Sequence, residues 1–140
     1  MSKLEDKIRQ YYSSGYNCSE TLLHACSDVY DLKITEDDFR LMAGFGSGMY
    51  IGSSCGALIG CVAVCSKLFC HTKAHDQLAI LRPIIVKLNQ NFKKELGALD
   101  CAHVKPMHHS KEKGCLQTCL LAGKALEKTL DEVKELTTSK

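Results

Sequence analysis

A chain of 140 residues, 45% hydrophobic and 24% charged, is long enough for one domain with its own core and has the balance of an ordinary globular protein. A net charge of +2, no tryptophan and no basic run interleaved with aromatics disfavour nucleic acid as a partner. The opening Met1–Lys7 is charged rather than apolar, so no signal peptide is read there, and two prolines with few β-branched runs point to helices.

Leu4 to Tyr12 sets Leu4, Ile8 and Tyr11/Tyr12 among charged neighbours and predicts a short amphipathic helix, stopped by Ser13-Ser14-Gly15. Asn17 with Glu20 three residues later is a capping-box pattern. A second helix therefore begins with Cys18 at its first position and carries Leu22, Ala25, Cys26 and Val29 inward. Thr35 before Glu36-Asp37-Asp38 opens a short third helix to about Ala43, with acids at the positive end of its dipole. Gly44 to Gly52 is too rich in glycine to be helical and calls for positive φ angles or close backbone approach.

Ser53 or Ser54 is the expected N-cap of a fourth helix, running from Cys55 to about Cys70. Cys55 then lies in or beside the first turn, where unpaired amides and the helix dipole favour a thiolate. Gly52, Gly56 and Gly60, continued by Ala63, leave one face without side chains and open to another backbone. Leu58, Cys61, Cys65 and Leu68 form the apolar stripe, beside Ile59, Val62 and Phe69. Cys61 and Cys65, four apart, read as core packing in preference to a second dithiol. The uncharged run from Leu41 to Ser66 is not a membrane span: its helical part meets Lys67 after about twelve residues, against the roughly 20 required.

His71 and His75 are four apart beside Cys70 and could share a zinc ion, but a polar helix start in water is the preferred reading. Leu78, Leu81, Ile85, Leu88 and Phe92 stay in phase across Pro83, so Ala74 to Leu96 reads as one kinked helix or two pieces, closed by Gly97. Asp100 to Ser110 reads as a turn and a connection. The last helix starts near Ser110 or Gly114 with Cys115 in its opening turns. It runs to about Leu136 with Leu116, Cys119, Leu126, Leu130 and Val133 inward; Thr137 to Lys140 are expected to fray. The fold expected is all-α: a single-domain helical bundle over residues 1–140, with about five to six helices and a glycine-rich loop.

Nine cysteines in a chain with an adequate core, an odd count and no signal peptide argue against a secreted disulfide scaffold and for reduced thiols in a cytoplasmic protein. About half of them read as small buried hydrophobes. Cys18, Cys55 and Cys115 fall at or near helix starts, and Cys101 lies in a connection. If these converge, the site is electropositive and rich in thiolate, suited to disulfide exchange, to a metal or to an iron–sulfur cluster. No Cys-x-x-Cys is present, so neither a thioredoxin-type site nor covalent haem is supported, and Gly44–Gly48 lacks the dinucleotide fingerprint.

Cys55-Gly56-Ala57-Leu58-Ile59-Gly60, preceded by the glycine loop, resembles the core motif of a family of small proteins termed redox-active for their C…GCAxxG…C…C pattern. The family's first cysteine looks like Cys18, in Gly15-Tyr16-Asn17-Cys18-Ser19-Glu20, and the second like Cys55. The third looks like Cys101, after Leu96-Gly97. The fourth is best matched by Cys115, with Cys119 as second choice. The resemblance covers nearly the whole chain and leaves Cys26, Cys61, Cys65, Cys70 and Cys119 outside the pattern. It implies redox chemistry by cysteine and names no substrate. A similar domain in split-Soret cytochromes implies a scaffold that can sit beside electron-transfer centres.

The leading expectation is dithiol/disulfide chemistry at Cys18, Cys55, Cys101 and Cys115, with Cys55 the most activated thiol and Cys18 its partner, serving an unidentified electron-transfer or thiol partner. In the first alternative the same four cysteines hold a [2Fe–2S] or [4Fe–4S] cluster. In others, some of them bind structural zinc with His71, His75, His103 or His108, without a firm ligand set, or the glycine face meets a second copy in a homodimer.

Overall fold

The computed structural model describes residues 2–138. Among them are seven α-helices and no strand, so the fold is all-α, with one or two helices more than expected. They are α1 (Lys3–Ser13), α2 (Cys18–Tyr30), α3 (Glu36–Phe39), α4 (Gly56–Phe69), α5 (Leu78–Leu96), α6 (Cys101–His108) and α7 (Leu116–Thr138). No helix among the described residues is long and apolar enough to cross a membrane. The additional helix is α6, where the sequence reads as a connection. Asp100 caps it by accepting from the His103 N–H, and Pro106 sits in its interior. A second departure lies before α5, where Ala74–Asp76 is a separate 3₁₀ turn; α5 then passes Pro83 as one helix. At the far end α7 includes Thr137 and Thr138; Ser139 and Lys140, also expected to fray, lie outside the described residues, as does Met1.

α2 packs against α4, α5 against α7, and α1 lies across α2 and α7. Leu22, Val64, Leu88, Phe92 and Leu126 meet in the fully buried centre. Cys26, Cys61, Cys65 and Cys119 are equally sealed, and the Cys61 thiol donates to the Ala122 carbonyl at 3.7 Å. These thiols pack as small hydrophobes. Burial pushes the Cys26 and Cys61 pKa values well up, and that of Cys65 up to about 12. His24 stacks on Phe39 at 3.8 Å between ring centroids and on Tyr11 at 4.9 Å, which fastens α3 and α1 to α2.

The glycine face of α4 is used inside the molecule. A Cβ at Gly60 would stand 2.9 Å from Leu22 Cβ and 3.0 Å from the Ser19 carbonyl oxygen, both on α2. A Cβ at Gly56 would stand 2.7 Å from the Phe45 carbonyl oxygen. The backbone that approaches these glycines belongs to this chain, which removes the argument for a second copy on that face.

Between α3 and α4 the chain makes a 3₁₀ turn (Arg40–Phe45) and then a left-handed turn. Ser47, Gly48, Met49 and Tyr50 have φ of 49°, 63°, 60° and 62°. Positive φ is expected of glycines; here three residues with side chains share it, at about 1–2 kcal/mol each. Gly48 itself cannot carry a side chain, because a Cβ would lie 2.7 Å from Cys101 Cβ. The Ser53 N–H closes the turn on the Gly48 carbonyl at 2.9 Å, and the Tyr50 hydroxyl donates to the Ala43 carbonyl.

Candidate functional site

Cys18 is fixed by the start of α2. Asn17 Oδ1 accepts from the Glu20 N–H while Glu20 Oε1 accepts from the Asn17 N–H, both at 3.0 Å, so the expected capping box is present. The Asn17 amide also donates to the Ala43 carbonyl and the Ser19 hydroxyl to the Met42 carbonyl, tying this helix start to the 3₁₀ turn.

Cys55 is itself the N-cap of α4, and neither Ser53 nor Ser54 takes that role. The serines are drawn instead into a short antiparallel bridge with the residues before α6. The Cys55 N–H donates to the Leu99 carbonyl at 2.9 Å, and the Cys101 N–H to the Ser53 carbonyl at 2.6 Å. That bridge sets Cys55 opposite Leu99 and Cys101 opposite Ser53, so the two cysteines lie diagonally on one face of it, with Cys101 at the first position of α6. Cys115 lies just before α7 rather than inside it, and its N–H donates to the Tyr12 hydroxyl at 2.7 Å.

The four expected site cysteines come together. Cys18, Cys55, Cys101 and Cys115 all line one cavity of about 160 Å³, together with Tyr12, Tyr16, Lys105 and Thr118. The Cys115 and Cys119 thiols and the charge of Cys55 all act on the Cys18 proton, which places the three near it. Cys119 stands behind Cys18, fully buried and off the cavity wall, so Cys115 is the fourth cavity cysteine.

All four cavity thiols have raised pKa values, against the expectation of a thiolate at Cys55. Burial lifts Cys55, which is 3% exposed, and outweighs the Ala57 and Leu58 amides that favour its thiolate. For Cys18 the Cys115 thiol pulls downward, but the Cys119 thiol and burial push further up. Cys115 is raised by the Cys18 thiol and then by burial. Cys101 is raised by burial, with Lys105 opposing; the same lysine opposes the rise at Cys115. The helix-start effect is thus present at Cys55 and smaller than desolvation.

Tyr12, Lys105 and Thr118 do not stand out in the sequence as site residues. Tyr12 reads there as one of the apolar ridge of α1, and Thr118 carries no signal of its own. Lys105 stands four residues after Cys101, a signal visible only once α6 is known to be a helix. His71 and His75 are exposed, away from the cavity lining. His103 bonds Asp100 at 2.6 Å and His108 bonds the Leu96 carbonyl at 2.9 Å. Among the described residues no three His, Cys, Asp or Glu side chains are grouped to hold a metal ion.

The family model described as "Putative redox-active protein (C_GCAxxG_C_C)" matches residues 16–129. No curated protein matches the chain, and no solved structure does. The family match runs from the residue before the α2 capping box into α7 and includes all four cavity cysteines, so the chain belongs to this family.

Proposed function

Starting from membership of that family, we propose that the chain is a cytoplasmic thiol–disulfide redox protein working through Cys18, Cys55, Cys101 and Cys115. The observation that carries this reading is that four cysteines from separate segments line one cavity. Cys101 is half-buried and stands beside Lys105, which favours its thiolate. It is the thiol that meets the partner. Its thiolate attacks a partner disulfide, forming a mixed disulfide and releasing one partner thiolate. Cys55, diagonal to it on the same face of the bridge, attacks the Cys101 sulfur; the second partner thiolate leaves and a Cys55–Cys101 disulfide remains. Cys18 and Cys115, which line the same cavity and act on one another's acidity, form the second pair. The reduced site then holds four electrons, two for each disulfide.

A redox titration with counting of free thiols tests this. The expected result is reversible loss of four thiols in the wild-type protein and of two in Cys55→Ser. Thiols that stay reduced across the whole range would remove the reading.

A second reading draws on the donor set. Four cysteine thiolates are the ligands of [2Fe–2S] and [4Fe–4S] clusters, and the cavity they line is wider than a single metal ion. Cys18, Cys55, Cys101 and Cys115 would hold the cluster, which would supply one-electron transfer. Iron and acid-labile sulfide bound in equal amounts to protein purified without oxygen would support it.

A further inference from the structure

The thiol cavity adjoins a second, wider and more open space. This groove of about 400 Å³ has Ser47 and Gly52 on one wall and the α6 residues Cys101, Lys105 and His109 on the other. Ser47, Cys101 and Lys105 line both spaces, whereas Cys18, Cys55 and Cys115 line the inner one and not the groove. Of the four site thiols, Cys101 is therefore the one that faces the groove.

The turn that forms one wall is unusual in two respects. Ser47, Met49 and Tyr50 hold positive φ although they carry side chains, and strain of this kind collects at ligand clamps and switch regions. The strain buries nothing in return: Tyr50 is 69% exposed and Ile51 81%. The Tyr50 hydroxyl is fixed on the Ala43 carbonyl, which holds its ring in that exposed position. Adjacent apolar side chains held in water by a strained backbone fit a surface that a partner completes. A Cβ at Gly52 would stand 3.3 Å from Ala102 Cβ, so Ile51 lies at the Cys101 end of the groove and His109 at the other.

The α6 wall is cationic. Lys105 is exposed and takes part in no salt bridge among the described residues, and no carboxylate lines the groove. Asp100, the cap of α6, is bonded to His103 instead. Lys105 stands one helical turn from Cys101, about 6 Å along the axis. An extended peptide advances about 3.3 Å per residue, so the second residue beyond a cysteine at Cys101 arrives at Lys105, on the same side of the strand.

We propose that this groove docks an extended segment of a partner protein whose disulfide cysteine has an acidic residue two positions to one side and a large apolar residue on the other. The acid meets Lys105, the apolar side chain covers Tyr50 and Ile51, and the cysteine meets Cys101. This rests on the thiol reading above and names the partner it serves. The Cys101 thiolate forms the mixed disulfide, and Cys55 displaces the second partner thiolate. The partner leaves as a dithiol with two electrons and the two protons that Cys101 and Cys55 gave up. A small disulfide would use Cys101 without the apolar ridge, and a lipid surface would use the ridge without Cys101.

The probes are symmetrical disulfides of capped pentapeptides with a central cysteine, aspartate at one end and leucine at the other, made in both orders. Control peptides carry serine for leucine or lysine for aspartate. Each rate of reduction by the fully reduced protein, without oxygen, is divided by that of the same peptide with mercaptoethanol, which cancels the peptide's own reactivity. In one of the two orders the aspartate–leucine peptide should react about fivefold faster than its serine control, as half-burying a leucine implies. It should react about threefold faster than its lysine control, the effect of an exposed ion pair. Ile51→Ser, at an exposed position, should remove the first preference and Lys105→Met the second, and about 1 M salt should remove the second alone. Equal normalised rates for all peptides would overturn the proposal, as would Ile51-dependent binding to phosphatidylserine vesicles without any peptide preference. If hydroxyethyl disulfide, which needs no docking, were then still reduced, only the docking surface would be lost. If neither it nor any peptide were reduced, the thiol reading would fall and the proposal with it.

Discussion

Gly60→Ala is the sharpest perturbation of the contact between α2 and α4. The added methyl would meet Leu22 Cβ at 2.9 Å and the Ser19 carbonyl oxygen at 3.0 Å, with Ser19 Cα at 3.5 Å. These are backbone atoms and a Cβ, which cannot swing away, so α2 itself must move. Overpacking of this kind costs about 1–3 kcal/mol. Alanine returns about 1 kcal/mol through its better helix propensity. The net expectation is a loss of about 1 kcal/mol, or roughly 3–5 °C in Tm. Gly123→Ala is the control. It is also a helix-interior glycine, but its new methyl meets the tip of the Ile8 side chain, which can rotate. That variant should be neutral or slightly stabilised. Urea denaturation of both, fully reduced, makes the comparison. Because Ser19 follows Cys18, the displacement in Gly60→Ala should also shift the redox midpoint of the cavity thiols, and Gly123→Ala should not shift it. Equal stability of the two variants, with unchanged midpoints, would refute the close-approach explanation of the motif glycine.

Thr118→Val should stabilise the protein by about 1 kcal/mol, because it removes a sealed hydroxyl with no partner; a loss of Tm would mean that this hydroxyl is bonded in solution. Lys105→Met should slow alkylation of Cys101 at pH 8 by about threefold, the effect of removing one nearby cation in a largely aqueous setting, and peptide mapping of the alkylated protein reads it directly. Stability should fall in alkali. Cys26, Cys61 and Cys65 have folded pKa values raised by burial, so their contribution is fully present below an unfolded pKa of about 8.5 and is lost as pH rises beyond it. Three such thiols give a slope approaching about 4 kcal/mol per pH unit, and equal urea midpoints at pH 8 and pH 10 would contradict it.

What the sequence reveals here depends on whether the deciding interaction is local. The α2 capping box, the Thr35 cap of α3 and the Gly97 terminus are local, and each is legible in a few residues. The α4 cap is not. Ser53 and Ser54 are good capping residues, but the bridge to Asp100 takes them, and that competition comes from more than 40 positions away. α6 is hidden by Pro106, which reads as a break although the short helix tolerates it. For the site, helix-start position and the family motif pick out the four cysteines that share the cavity. Their acidity is the part the sequence misjudges. A helix start favours a thiolate only as far as water can reach it, and Cys55 is sealed by the glycine turn and by α6. Tyr12, Lys105 and Thr118 become visible as cavity residues only when α1, α6 and α7 are assembled around the thiols.

The most direct test of the central claim is to map the disulfides formed on mild oxidation of protein purified without oxygen, by mass spectrometry of peptides from the alkylated protein. The account predicts two bonds, Cys18–Cys115 and Cys55–Cys101, with Cys26, Cys61 and Cys65 still reduced. A Cys18–Cys55 bond, or four cavity thiols that remain reduced while the core thiols oxidise, would contradict it.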